Sequence, residues 1–222
     1  MKKLLITTLL LNVVLLSLFA QGKPEKADLP KVLIIGDSIS IGYTPHVKAI
    51  LKDKAVVLHH KGNAQHTETG LVKLDSWLGK TEWDVIHFNW GLWDLCYRHP
   101  ESKTQGKRDK LKGTVTTSLE EYEKNLDELV TRLKKTKAKL IWAHTTLVPE
   151  KELGRKIGDD KKYNEVAAKI MKKHGVTIND LNSLTSDFPA TLFIKPGDVH
   201  YTKDGYKKIA DQVAKEKSKM LQ

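Results

Sequence analysis

From Lys31 onward, short apolar runs alternate with longer amphipathic stretches. Val32-Leu33-Ile34-Ile35, closed by Gly36, has the length and β-branched content of a buried strand. Ala55-Val56-Val57-Leu58, Val85-Ile86-His87-Phe88 and Leu140-Ile141-Trp142-Ala143 repeat the pattern, and Val176-Thr177-Ile178 is a weaker fifth copy. The intervening segments predict helices over about 44–52, 70–78, 118–135, 160–173 and 203–220. In the third of these, Leu119, Tyr122, Leu126, Leu129, Val130 and Leu133 recur at three- and four-residue spacing, which places them on one face. Ser118 followed by Glu120 and Glu121 suits the start of that helix.

Strands alternating with helices imply an α/β domain: a parallel sheet of about five strands, covered on both faces. Ligand sites in such open sheets lie beyond the carboxyl ends of the strands, so residues just after strands are the first to test for chemistry. One segment has no periodicity. Tyr97 to Thr116 is polar, basic and glycine-containing, and follows the third strand. It reads either as a mobile loop beside the site or as a tolerated surface insertion.

The chain before the first strand is different in kind. Lys2 and Lys3 precede an almost wholly apolar run, Leu4 to Phe19, and Ala20-Gln21-Gly22 offers a small residue at a cut. That is the layout of a secretory signal peptide over residues 1–20, so the expected location is secreted or periplasmic. An uncleaved membrane anchor is the alternative, although the run is short for a spanning helix. No cysteine follows it directly, which argues against a lipid-anchored lipoprotein. Residues 21–30 form a polar segment, and 31–222 make one domain, long enough to bury a core of its own.

Charge and cysteine content narrow the chemistry further. The formal net charge is +11, and removal of Lys2 and Lys3 leaves 36 basic residues against 27 acidic. This balance favours anionic surfaces. The lysines are spread over helix faces among glutamates, however, and no nucleic-acid module is expected. The single cysteine, Cys96, lies in apolar Leu95-Cys96-Tyr97, which suits a buried inert thiol better than a nucleophile.

Two motifs carry candidate chemistry. Gly36-Asp37-Ser38-Ile39-Ser40 follows the first strand directly, and a serine there has its backbone amide at the start of a helix, where an oxyanion is favoured. Near the other end, Gly197-Asp198-Val199-His200 precedes the last helix, from which a histidine can reach back across the sheet edge. Each motif alone also fits an ordinary turn. Together with Gly91-Leu92-Trp93-Asp94 after the third strand, they resemble the SGNH (GDSL-like) hydrolases over nearly all of 31–222.

The resemblance implies a flavodoxin-like three-layer α/β/α fold and hydrolysis of acyl esters, often acetyl groups on carbohydrate, through an acyl-serine without any cofactor. It implies Ser38 as nucleophile, His200 as base and Asp198 as the orienting acid, with the Ser38 amide as one oxyanion donor. A second donor is expected after the second strand, from the Gly62 amide or the Asn63 side chain. Gly-x-Ser-x-Gly is absent around Ser38, where position 40 is serine, which argues against the ordinary α/β-hydrolases.

The chain departs from the family pattern twice. Trp93 stands where the family has the asparagine oxyanion donor. Its indole N–H can donate one bond, or the ring can serve packing or a sugar platform, and Asn89 is a further possible donor. The closing motif is one residue shorter than the usual Asp-x-x-His. These departures motivate a second reading, a binding protein of the same fold without catalysis. A metal site is the remaining alternative. His59 and His60 with His66 and His87 offer ligands, but adjacent strand residues point to opposite sides, and no His-Glu-x-x-His or paired-cysteine spacing is present. No metal is therefore expected. The expected partner is a small-molecule or glycan ester, without stable membrane insertion once the leader is removed.

Overall fold

The computed structural model describes residues 29–221. The expected leader, most of the polar segment after it and the last residue lie outside the described residues. The elements in chain order are β1 (Lys31–Ile35), α1 (Ser38–Leu51), β2 (Val56–His59), α2 (Thr67–Leu78), β3 (Val85–Phe88), β4 (Tyr97–Arg98), β5 (Thr114–Val115), α3 (Leu119–Lys134), β6 (Lys139–Ala143), α4 (Asp159–His174), β7 (Thr177–Asn179), α5 (Leu181–Ser186) and α6 (Lys203–Met220).

Five strands form one parallel sheet in the order β2-β1-β3-β6-β7. Its centre is dry: Val32, Ile34, Ile35, Val85, Ile86, Phe88, Ile141 and Trp142 are fully buried, as near-continuous apolar runs in a doubly covered sheet should be. α1 packs on α6 against one face, while α2, α3 and α4 pack in sequence on the other. This is the expected three-layer α/β/α arrangement. The strand order reverses between β1 and β3, and the crevice at their carboxyl ends is the usual ligand position in such sheets.

Element positions follow the sequence pattern where apolar periodicity is strong. α3 begins with a capping box, in which Ser118 Oγ accepts from Glu121 N–H and the Glu121 carboxylate accepts from Ser118 N–H. The first helix departs most, starting at Ser38 rather than near residue 44. Its buried stripe, Ile39, Tyr43, Val47 and Leu51 at four-residue spacing, runs from the first turn, but Ser38, Ser40 and Gly42 interleave with it and dilute the apolar signal there. Pro45 inside it also lacks the N–H that would bond Ile41. Asp37 starts the helix all the same, its Oδ1 accepting from Ile39 N–H at 2.9 Å. β2 is an edge strand shifted by one residue, with Val56 and Leu58 exposed and Val57 buried.

The aperiodic segment after β3 is tied down. β4 pairs with β5, the Asp109 N–H bonds Tyr97 O at 3.0 Å, and the Lys110 N–H bonds Leu153 O at 3.1 Å. Beneath it, the buried Glu152 carboxylate receives Arg108 at 3.0 Å and Arg155 at 2.8 Å. The segment is thus docked on the loop after β6 rather than hanging free of it.

Candidate active site

The site is built at the carboxyl end of β1. Gly36 follows the strand, and the first turn of α1 packs so closely on it that a Cβ there would lie 2.8 Å from Ser40 Oγ. Asp37 is buried, and burial raises its carboxyl above the usual range against the Ile39 N–H and the charges of Arg155 and His200. Its role here is as the cap that turns the chain into α1. Ser38 is the next residue, half-buried, at the positive end of that helix.

His200 reaches Ser38 from 162 residues away, its Nε2 2.8 Å from Ser38 Oγ. The loop bearing it is held on both sides. Ile194 N–H bonds the His200 carbonyl at 3.0 Å, and Thr202 N–H bonds Leu192 O at 2.8 Å. Val199 and Tyr201 are buried in the core, so the alternation of an extended segment turns His200 outward between two anchors. Asp198 Oδ1 lies 2.6 Å from His200 Nδ1 and also accepts the His200 backbone N–H at 3.0 Å. Burial pushes the Asp198 carboxyl up, but the two His200 hydrogen bonds and the charges of His200 and Lys195 outweigh it and hold the group below the usual carboxylate range. The shortened Asp198–His200 spacing therefore still leaves Ser38, His200 and Asp198 in one continuous hydrogen-bonded line.

The loop after β2 is tied to the same turn. Gly36 O accepts Ala64 N–H at 3.0 Å and His60 Nε2 at 2.9 Å, which brings Gly62 and Asn63 alongside the Ser38 turn. Gly62 adopts φ +89°, a conformation that favours glycine. Asn63 Oδ1 accepts from Gln65 N–H at 2.8 Å, leaving its amide NH₂ pointing away from that bond. The Asn89 NH₂, by contrast, is spent on the Ala143 carbonyl at 2.7 Å. Asn89, just past the end of β3, thus clamps that end to the end of β6, in keeping with a place in the strand region rather than at the oxyanion.

Gly91 and Asp94 shape the turn that carries Trp93. Gly91 has φ +154°, and a Cβ there would fall 1.9 Å from Thr145 Oγ1. Buried Asp94 accepts both the N–H and the hydroxyl of Thr67, at 2.8 and 2.7 Å, pinning α2 to this turn. The half-buried indole of Trp93 carries the Arg98 guanidinium over its ring, 4.8 Å from the centroid. Sequence reasoning missed Arg155, which donates from Nε to the Leu92 carbonyl at 2.6 Å and braces this turn from below. The Glu152–Arg155 spacing of three residues was its only sequence signal.

The remaining candidates separate cleanly. Cys96 is buried, and burial raises its thiol, the state of an inert side chain. His59 and His60 do not diverge as strand residues would. β2 ends at His59, and the two rings stack at 4.6 Å and 27°. His59 Nε2 bonds Ser40 Oγ at 2.7 Å, and burial lowers its pKa to about 4. His87 is buried inside β3, beside Tyr43 and Asn179. Among the described residues, no three His, Cys, Asp or Glu side chains gather in a way that could hold a metal.

No protein-family model matches the sequence, and no curated protein matches it either. Solved structures do. A lipase/acylhydrolase from Enterococcus faecalis superposes with TM-score 0.69 at 18% identity, over 85% of this chain and 95% of that one. An acetyl xylan esterase from Geobacillus stearothermophilus gives 0.67 at 17%, over 86% and 96%. The acetyl xylan esterase AlAXEase gives 0.66 at 17%, over 84% and 98%. The similarity spans nearly the whole length of each neighbour, and at these identities it establishes the architecture. The chain has the fold of the SGNH, or GDSL-type, acylhydrolases.

Proposed function

We propose that this protein is a serine esterase that cleaves acyl esters through an acyl-serine intermediate. The observation that carries the reading is the alignment of Ser38 Oγ, His200 and Asp198, linked at 2.8 and 2.6 Å on a fold otherwise related to esterases only at a distance. Ser38 Oγ attacks the ester carbonyl while His200 Nε2 takes its proton, and ionised Asp198 holds the ring and stabilises the imidazolium. Collapse of the tetrahedral oxyanion breaks the bond to the alcohol, which leaves with the proton from His200. Water, deprotonated by His200, then attacks the acyl-serine and releases the carboxylic acid and free Ser38. The Ser38 amide, the Gly62 amide and the Asn63 NH₂ are the donors we assign to the oxyanion. Acetyl groups on carbohydrate are the substrate class, supported by what the neighbouring acetyl xylan esterases act on. Export rests on the leader pattern of residues 1–20, and N-terminal sequencing of the mature protein checks it.

A fluorophosphonate probe tests the activity. Labelling of the wild type that disappears in Ser38→Ala is the expected result. A well-folded wild type that takes no label would instead establish the second reading, a binding protein that uses the same crevice without acylation.

A further inference from the structure

We propose that the loops framing the site dock on an anionic lipid surface. Three segments meet around the carboxyl edge of the sheet: the β4–β5 region, the loop of residues 149–158 after β6, and the loop of residues 193–201 that bears His200. They are stitched into one rim. Tyr97 N–H bonds Gly154 O at 2.6 Å, Lys110 N–H bonds Leu153 O at 3.1 Å, and Gly197 passes so close to the second loop that a Cβ would lie 2.5 Å from Lys151 O.

This rim exposes aliphatic side chains that the fold does not use. Leu111 is 90% exposed, Ile157 64%, Ile194 58% and Leu153 53%. Leu111 is held there by structure, since Asp109 Oδ1 accepts the N–H groups of both Leu111 and Lys112 at 3.0 Å and fixes a turn with leucine at its tip. The same three segments carry exposed Lys103, Lys107, Lys112, Lys151, Lys156 and Lys195, against exposed Glu101 and Glu150. Aliphatic tips among lysines match a bilayer interface. The tips enter the acyl region while the lysine stems lie along it and their ammonium groups meet anionic headgroups.

An acidic polysaccharide fits this rim less well, because sugar rings dock on open aromatic faces. The half-buried rings here are already engaged, Trp93 by Arg98 at 4.8 Å and Tyr97 by Lys156 Nζ at 4.1 Å from the ring centroids, and Phe193 by Tyr201 at 5.0 Å between ring centroids. Docking through this rim turns the Ser38 crevice toward the surface, so the acetylated carbohydrate cleaved is one carried at that surface. That last consequence rests on the esterase reading, whereas the docking itself does not.

Co-sedimentation with vesicles of mixed phosphatidylglycerol and phosphatidylcholine, beside vesicles of phosphatidylcholine alone, tests it. The protein should bind the anionic vesicles only, and Leu111→Asp should weaken binding by about tenfold or more, since it forfeits burial of one leucine. Leu111→Asp should keep the wild-type melting temperature and the wild-type turnover of a small soluble ester. Ser38→Ala should bind vesicles as the wild type does, so a failed esterase reading leaves this result standing. The proposal is overturned by absence of vesicle binding. It is equally overturned by binding that ignores Leu111→Asp and vanishes in high salt, or by retention on a soluble anionic polysaccharide without vesicle binding.

Discussion

A single oxygen, Oδ1 of Asp198, serves His200 twice, meeting the ring Nδ1 at 2.6 Å and the backbone N–H at 3.0 Å. The shortened spacing makes this possible. With one intervening residue, the carboxylate sits over its own turn, fixing the loop and the imidazole with the same atom. Asp198→Asn keeps an oxygen for the backbone N–H but no longer holds the ring in the tautomer that lets Nε2 accept a proton. Turnover should fall by on the order of 10³–10⁴ with little change in melting. A variant retaining near-wild-type turnover would remove Asp198 from the relay.

The pH profile follows from the same contacts. Proton transfer from Ser38 needs neutral imidazole, so turnover should drop in acid along a limb of unit slope as His200 is protonated. Asp198 is held below the usual carboxylate range, so its charge persists through that limb and adds no second step there. The stability its ionised form contributes is present at neutral pH and is lost only as pH falls through its depressed folded value. Turnover that showed no acid limb at any pH at which the protein stays folded would show that another group is the base.

Much of this site is readable before folding because its parts lie directly after strong strands. Ser38 follows the apolar run of β1, and Trp93 follows β3. The pairing of Ser38 with His200 rests on motif order across 162 residues. What the sequence hid is hidden for physical reasons. The start of α1 mixes its buried stripe of Ile39, Tyr43, Val47 and Leu51 with Ser38, Ser40 and Gly42, so the stripe is diluted there, and the Asp37 cap is what shows where the helix begins. The stacking of His59 on His60 depends on where β2 stops, which periodicity cannot place to a single residue. Arg155 is one of many basic residues in the sequence, and only the folded chain shows it donating to the Leu92 carbonyl.

The oxyanion assignment separates Asn63 from Trp93. Asn63→Ala removes a donor that the reading places at the developing negative charge, and turnover should fall by about 10²–10³. Trp93→Phe removes the indole N–H but keeps a ring for Arg98 to cover, so turnover should stay within a few-fold of wild type. Steady-state kinetics on both variants decides the matter. The reverse pattern, a collapse in Trp93→Phe beside an unaffected Asn63→Ala, would move the donor to the indole.

The last prediction concerns stability. Lys217 lies on the apolar face of α6, in register with Ala210, Val213 and Ala214, and is fully buried with no hydrogen-bond partner for Nζ among the described residues. Burial drives its pKa well below the usual lysine value, and the ammonium in turn lowers nearby buried His87, whose own burial is the larger effect. Both are bases with depressed folded pKa values, so the unfolded chain binds more protons than the folded one between the folded and unfolded pKa values. Stability therefore rises with pH through that window and is lost as pH falls through it. At neutral pH the unfolded lysine is protonated while the folded one is opposed by burial, so Lys217 weakens the fold. Lys217→Met keeps the length of the side chain and removes the unsatisfied donor. It should stabilise by about 1–3 kcal/mol, raising the melting temperature by about 2–4 °C for each kcal/mol. The gain should shrink as pH approaches the lysine value near 10.5, where the unfolded chain no longer gains that proton. Melting curves of the two proteins at neutral and alkaline pH check both parts. A destabilised Lys217→Met, or a gain independent of pH, would mean that Nζ has a partner in solution that satisfies it.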